Sequence, residues 1–143
     1  MLTEPIVFYI QTLSCLCMTS VIWLVQVNHY PAFRYIDKDR FQEFARFHVS
    51  SITGVVAPLM IIEFISGVLL IMLTPKNYAY IGNFIGILII WISTQFLSIP
   101  CHNRLVEGYD SISIERLIKT NWIRTITWSL RAGLLIYLAF KGN

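Results

Sequence analysis

Charged side chains are scarce in this sequence of 143 residues. Asp, Glu, Lys and Arg make up 13% of it, whereas about 25% is usual in soluble domains. Hydrophobic residues make up 56%, and the mean hydropathy is +0.64. Since a soluble domain of this length needs more charged groups to cover its surface, the composition excludes a soluble enzyme, a disordered chain and a nucleic-acid-binding module.

Cysteines and catalytic signatures are also few. On a helix, Cys15 and Cys17 lie about 200° apart, so they cannot bind one ligand from a common face. Cys101 adjoins His102 on the predicted cytoplasmic side, where thiols stay reduced, so no disulfide framework is expected. The zincin, EF-hand, P-loop and dinucleotide-binding signatures are absent, as is a serviceable Ser/His/Asp spacing. Motifs alone therefore leave open whether the protein is an enzyme.

Long apolar runs dominate the sequence instead. A helix needs about 20 residues to cross a bilayer, and four segments meet this requirement, at about residues 6–28, 48–73, 80–99 and 117–140. Helices are expected because a lone strand would leave its backbone unsatisfied in lipid. The first run lacks the positive start of a signal peptide, so we interpret it as a retained helix. The sequence predicts an all-α fold with one domain, residues 1–143, forming a four-transmembrane-helix bundle.

Basic residues are distributed unequally between the two sides of the predicted bundle. One side, formed by residues 74–79 and the C-terminal tail, carries Lys76 and Lys141. The two longer loops, residues 29–47 and 100–119, carry seven basic residues: Arg34, Lys38, Arg40, Arg46, Arg104, Arg116 and Lys119. Since positive residues favour the cytoplasmic side, we expect both termini outside and both longer loops inside. The protein is then a multi-pass protein of a cell membrane, such as the bacterial inner membrane.

Both cytoplasmic loops contain patterns typical of short amphipathic helices. Asp37 is predicted to cap a helix that continues through Phe41, Phe44 and Phe47 into the second span. This segment either lies in the headgroup layer or extends below the membrane and packs on its neighbours. In the second loop, residues 108–111 predict a turn followed by a helix cap.

Each predicted helix places its polar side chains on one side, at 100° per residue. Polar groups that face hydrocarbon cost several kcal/mol, so the four polar sides are expected to converge on an interior that opens toward the cytoplasm. This interior would bind a lipophilic or anionic small molecule. The candidate substrate-binding residues are Gln26, Glu63, Gln95, Asn121, Arg124 and Arg131.

Glu63 and Arg131 lie at comparable depths in the second and fourth spans. Each is costly if it is unpaired in lipid, so we expect a buried salt bridge between them. The pair acts either as a structural clamp or as a functional group, in which one partner binds a substrate headgroup or moves a proton.

The three histidines, His29, His48 and His102, fall at the cytoplasmic boundary of three different helices. Three imidazoles are a usual shell for zinc, copper or iron, so this set is a candidate site for a transition metal or a haem. A proton relay, hydrogen bonds to a substrate and separate interfacial histidines are the alternatives. His48 together with Arg124 is also suited to an anionic headgroup.

Small residues predict two features of helix packing. Gly82 and Gly86 form a GxxxG pattern, which favours close contact with a neighbouring helix or with a second protomer of a homo-oligomer. Pro58, with Gly54 one turn before it, predicts a kink in the second helix that frees backbone carbonyls beside the polar interior.

Three runs carry a resemblance to known proteins: residues 26–31 (QVNHYP), 94–102 (TQFLSIPCH) and 120–125 (TNWIRT). They resemble a family of small four-helix bacterial integral membrane proteins of unknown function. The layout is more remotely similar to that of anthrone-oxygenase-like membrane proteins. The resemblance implies a four-helix transmembrane fold and brings no assigned chemistry with it.

Two classes of function follow, together with a less specific third. The first is a membrane-embedded enzyme or redox protein, with a metal or cofactor on the histidines and a lipophilic substrate that enters from the bilayer. The second is a small oligomeric channel or transporter with a pathway past Glu63 and Arg131. The third is an accessory subunit of a membrane complex. The clustering of the histidines at one face favours the first class.

A topology assay tests the predicted orientation. A reporter fused after Asn143 should be active outside the cytoplasm, and one inserted near Gly108 should be active inside it. The reason is that the two longer loops carry seven basic residues and the opposite side carries two. The opposite pattern would reverse the orientation and move the histidines to the outer face.

Overall fold

The computed structural model describes residues 3–142, which form four helices. These are α1 (Glu4–Tyr35), α2 (Phe41–Leu73), α3 (Tyr78–Leu105) and α4 (Ser111–Lys141). Helices α1, α2 and α3 are long and apolar enough to cross a membrane, which supports a membrane protein. Helix α4 is not among the three. It carries six charged residues, which lower its mean hydropathy.

The four helices pack around one core. Helix α1 contacts α2 and α4, and α3 contacts α2 and α4. Large apolar side chains from every helix are fully buried, among them Phe8, Phe41, Tyr80 and Trp128. The outer surface is also apolar, as expected for helices that face lipid: Leu13, Leu24, Ile65, Ile92 and Leu130 are more than half exposed.

Helix α2 begins at Phe41, before the predicted second span, and Asp37 does not cap it. The Asp37 Oδ1 instead accepts a hydrogen bond from the Asp39 N–H at 2.9 Å within the preceding turn. Phe41 is fully buried, with its ring centroid 5.1 Å from that of Tyr109 and 6.2 Å from that of Phe33. The segment is therefore a helical extension packed on its neighbours, which is the second of the two alternatives above.

Side-chain caps begin α3 and α4. The Asn77 Oδ1 accepts from the Ala79 N–H at 3.1 Å, directly after the tight turn that ends α2. The Asp110 Oδ1 accepts from the Ile112 N–H at 3.1 Å, and its Oδ2 accepts from the Ser113 hydroxyl at 2.6 Å. The hydrogen bond from Ser113 holds the pKa of Asp110 below its usual range. The predicted cap at the start of α4 is confirmed.

Two π-helical turns interrupt the regular winding, Val25–His29 in α1 and Thr94–Ser98 in α3. Each ends two residues before a proline, Pro31 or Pro100. In each, the residue before the proline donates its N–H to the carbonyl five residues back. Proline has no N–H and its ring clashes with the preceding turn, so a locally wider turn accommodates it. Such turns are frequent at functional sites.

Helix α2 is continuous through Pro58, although the missing N–H of Pro58 leaves the Gly54 carbonyl without its usual intrahelical donor. The predicted kink stays a prediction.

Gly86 of the GxxxG pattern is buried against α4, and a Cβ there would lie 2.7 Å from the Arg131 Cδ. Gly82 is exposed, with nothing within 4 Å of such a Cβ. Gly82 is thus accessible to a second protomer, whereas Gly86 packs against α4 of the same chain.

Alanine substitutions at these two glycines test this packing. Gly86→Ala should lower the free energy of unfolding by about 1–3 kcal/mol, because the added methyl group collides with the Arg131 side chain. Gly82→Ala is the matched control, and it should be neutral or stabilise by about 1 kcal/mol through helix propensity. Thermal unfolding in detergent measures both. Equal stability of the two variants would contradict the assigned contact.

Candidate functional site

A buried ion pair joins α2 to α4 in the half of the bundle that is farther from the histidines. The Arg131 Nη1 lies 2.5 Å from the Glu63 Oε2, and both side chains are at most 3% exposed. The Trp128 indole N–H donates toward both carboxylate oxygens at 3.2 Å. The Arg131 Nε donates to the Asn83 Oδ1 at 3.0 Å, which adds α3 to the layer. The predicted pair is present, within a network that spans three helices.

Arg124 occupies a second polar layer, two turns closer to the histidines. Its side chain is 5% exposed. The Asn121 Oδ1 accepts from its Nε at 3.0 Å and from its Nη2 at 2.5 Å. The Nη2 also donates to the Tyr30 hydroxyl at 3.1 Å, and the Nη1 donates to the Thr94 hydroxyl at 3.4 Å. All of these partners are neutral.

Gln26 holds this layer in place from α1. Its Oε1 accepts from the Asn121 Nδ2 at 2.8 Å and from the Thr125 hydroxyl at 3.3 Å, and its Nε2 donates to the Ile118 carbonyl at 3.2 Å. Asn121 is therefore oriented with its carbonyl oxygen toward Arg124. Gln26 and Asn121 position Arg124 through these hydrogen bonds. Neither of them lines the cavity described below.

The structure brings all three histidines together. The His29 Nε2 lies 2.7 Å from the His48 Nδ1, and the centroids of the His48 and His102 rings are 5.3 Å apart. The His102 Nε2 lies 3.1 Å from the Tyr30 hydroxyl. The Tyr30 hydroxyl accepts from Arg124, and its own O–H can donate to the His102 Nε2 when the proton of that ring is on Nδ1.

This geometry does not support the predicted metal or haem site. Within residues 3–142, no group of three or more His, Cys, Asp and Glu is arranged to hold a metal ion. Nitrogens bound to one tetrahedral zinc at about 2.0–2.1 Å are separated by about 3.3 Å. The 2.7 Å between His29 and His48 is instead a hydrogen-bond distance. His29 and His48 thus form a hydrogen-bonded pair, while the His102 ring is hydrogen-bonded to Tyr30. The proton relay and the hydrogen bonds to a substrate stay predictions.

A cavity of about 260 Å³ lies between the two polar layers. Most of its wall is apolar, from residues such as Met18, Ile22, Val25, Ile52, Val56 and Met60. One end is polar, where Arg124, Tyr30, Thr94 and His102 meet. The cavity therefore combines an apolar body with a single hydrogen-bonding end.

The cavity opens on the side of the bundle. The wall residues contributed by α1 and α4 are buried or half-buried. The exposed wall residues come from α2 and α3: Thr53, Ile61, Trp91, Gln95 and Ile99. Beyond the opening the two helices meet again, where the rings of Phe64 and Phe84 lie 5.5 Å apart. The gap therefore faces the surroundings of the bundle at the depth of the membrane-crossing segments.

Two of the six candidate binding residues, Arg124 and Gln95, line the cavity. Gln26 and Asn121 position Arg124, while Glu63 and Arg131 belong to the other polar layer. Sequence reasoning missed Tyr30 and Thr94 as site residues. The signal in the sequence is the proline that follows each of them, Pro31 directly after Tyr30 and Pro100 six residues after Thr94.

Protein-family profiles, curated proteins and solved structures were compared with the chain, and none of them matches it. The resemblance to small four-helix bacterial membrane proteins therefore stays a prediction. The function has to be argued from the cavity and its polar end.

Substitutions test the coupling of the buried pair. Glu63→Gln or Arg131→Gln alone should lower stability by about 3–5 kcal/mol, because each leaves a charge unpaired in a low dielectric. The double variant should recover part of the loss. Losses that simply add, measured by thermal unfolding in detergent, would show that the two side chains do not interact.

Proposed function

We propose that this is an integral membrane protein whose cavity binds a lipophilic molecule that enters from the bilayer between α2 and α3. The observation that carries the proposal is the cavity itself. Its exposed wall residues all belong to the two helices that flank the gap, and its wall is apolar except at one end. Lipophilic molecules are concentrated in the bilayer, so a lateral opening is the suitable entrance. The sequence instead predicts an opening toward the cytoplasm.

The proposal includes α4 as a fourth span, with both termini outside. The buried cations Arg124 and Arg131 lower the mean hydropathy of α4 but do not face lipid. Its exposed side chains near the centre are apolar, namely Ile123, Ile126, Leu130 and Ile136. An apolar outer face and a polar inner face are what a spanning helix in a bundle requires. The excess of basic residues in the two longer loops supports the orientation.

The polar end can do chemistry as well as bind. The Tyr30 hydroxyl lies 3.1 Å from both the Arg124 Nη2 and the His102 Nε2. A phenol and a neutral imidazole in contact can exchange a proton with a bound molecule. His48 and His29 continue from His102 toward the end of the bundle. This arrangement favours an enzyme of lipophilic molecules over a passive binding protein.

A channel along the bundle axis is the less favoured candidate. Glu63, Trp128 and Arg131 are at most 3% exposed and contact one another directly beyond the cavity. Ions moving along the axis would have to separate this pair. An accessory role in a larger complex stays a prediction without a specific observation in its favour.

Tryptophan fluorescence tests the cavity. Trp128 lines it and is fully buried, so Trp23→Phe, Trp91→Phe and Trp122→Phe leave one reporter. In nanodiscs, 9,10-dibromostearic acid or its alcohol should quench this reporter saturably, since bromine quenches on contact. Ala57→Phe fills the wall and should abolish the saturable part. Val55→Phe, at a lipid-exposed position outside the wall, is the control. Quenching that never saturates, or that Ala57→Phe leaves unchanged, contradicts the proposal.

A further inference from the structure

Arg124 is the one charged side chain in the described cavity wall. The ion pairs among residues 3–142 are Arg34–Glu115, Arg104–Asp110 and Glu63–Arg131. None of them includes Arg124. Its hydrogen-bond partners are a phenol, an amide oxygen and a hydroxyl, all uncharged. A cation that is 95% buried therefore has no anion within the described chain.

The contrast with Arg131 makes this lack informative. Both arginines lie on the same side of α4, two turns apart, and both are at most 5% exposed. Arg131 has the Glu63 carboxylate at 2.5 Å. Neutral dipoles stabilise a buried cation but do not neutralise it, and an uncompensated charge in a membrane interior is costly. A counter-ion at Arg124 would compensate this charge.

Resting on the proposed function, we propose that the cavity ligand is a lipophilic anion whose carboxylate or phosphate group is the missing counter-ion of Arg124. The acidic group sits at the polar end, where it accepts charge-assisted hydrogen bonds from the guanidinium. The Tyr30 hydroxyl and the His102 ring lie beside it as further hydrogen-bonding groups. The hydrocarbon tail lies along the apolar wall of α1 and α2, and a long tail leaves through the gap between α2 and α3.

The proposal differs from the anionic-headgroup site expected from the sequence. That site pairs His48 with Arg124, but His48 does not line the cavity. Its ring is hydrogen-bonded to His29 and adjoins that of His102. His102 and Tyr30 take its place at the polar end.

The test compares an acid with its neutral analogue on the Trp128-only protein in zwitterionic nanodiscs. Bound 9,10-dibromostearate should reach half-saturation at a concentration about tenfold lower than 9,10-dibromostearyl alcohol, because only the acid pairs with Arg124. Arg124→Gln should remove this preference. Arg116→Gln, an exposed position on the same helix, should keep it. Arg124→Lys keeps the charge with fewer donors and should retain part of the preference.

A dibrominated lysophosphatidate probe separates the two kinds of anion. Stronger quenching by the fatty acid identifies a carboxylate, and stronger quenching by the lysophosphatidate identifies a phosphate; either supports the proposal. Equal half-saturation by acid and alcohol in the unsubstituted reporter protein would overturn it, and this comparison needs no variant at Arg124. In that case the cavity of the proposed function would stand. If no probe quenches Trp128 saturably, the proposed function itself fails.

Thermal stability is an independent readout. In delipidated protein, the change in melting temperature on addition of oleate reports binding of this anion. Oleate should raise the melting temperature of the unsubstituted protein and of Arg116→Gln, but not that of Arg124→Gln. An undiminished response of Arg124→Gln to oleate would contradict the proposal.

Discussion

The arrangement of this bundle depends on the cost of burying two guanidinium groups of α4 in its interior. Arg124 and Arg131 lie on one side of that helix, and together they contact polar groups from the other three helices. Glu63 from α2 and Asn83 from α3 surround Arg131, whereas Tyr30 from α1 and Thr94 from α3 surround Arg124. These contacts connect each of the other three helices to α4. The cavity is the space left between the two layers.

The π-helical turns connect this constraint to the site. A wider turn contains an extra residue, so every later side chain is rotated by about 100° relative to a regular helix. In α1 this rotation accompanies the burial of Tyr30 beside Arg124, and in α3 it accompanies the turn of His102 toward Tyr30. The same glutamine–proline spacing, Gln26 to Pro31 and Gln95 to Pro100, occurs in both helices. In both α1 and α3, therefore, a π-helical turn lies beside the polar end of the cavity.

Much of the fold was predictable, because apolar helices appear in the sequence as long hydrophobic runs, and a buried ion pair appears as two isolated opposite charges at similar depth. The helices, the cap at Asp110 and the Glu63–Arg131 pair were found in this way. The helical extension before the second span was also foreseen as one of two alternatives. The site was less predictable: a constant 100° per residue does not allow for a π-helical turn, so Tyr30 was not among the candidate site residues. Equal depth brought the histidines together, but depth says nothing about the distance between two ring nitrogens. For α4, a linear average of hydropathy cannot distinguish an arginine that faces the interior from one that faces lipid.

The central claim is that Arg124 faces a laterally open cavity and takes its counter-ion from a lipophilic molecule. The most direct test is an experimental structure of the protein in a lipid nanodisc, at a resolution that defines side chains. The account predicts elongated density that enters between α2 and α3 and ends against the Arg124 guanidinium. A structure in which Arg124 pairs with a carboxylate of the protein, or in which side chains close the gap between α2 and α3, would contradict it.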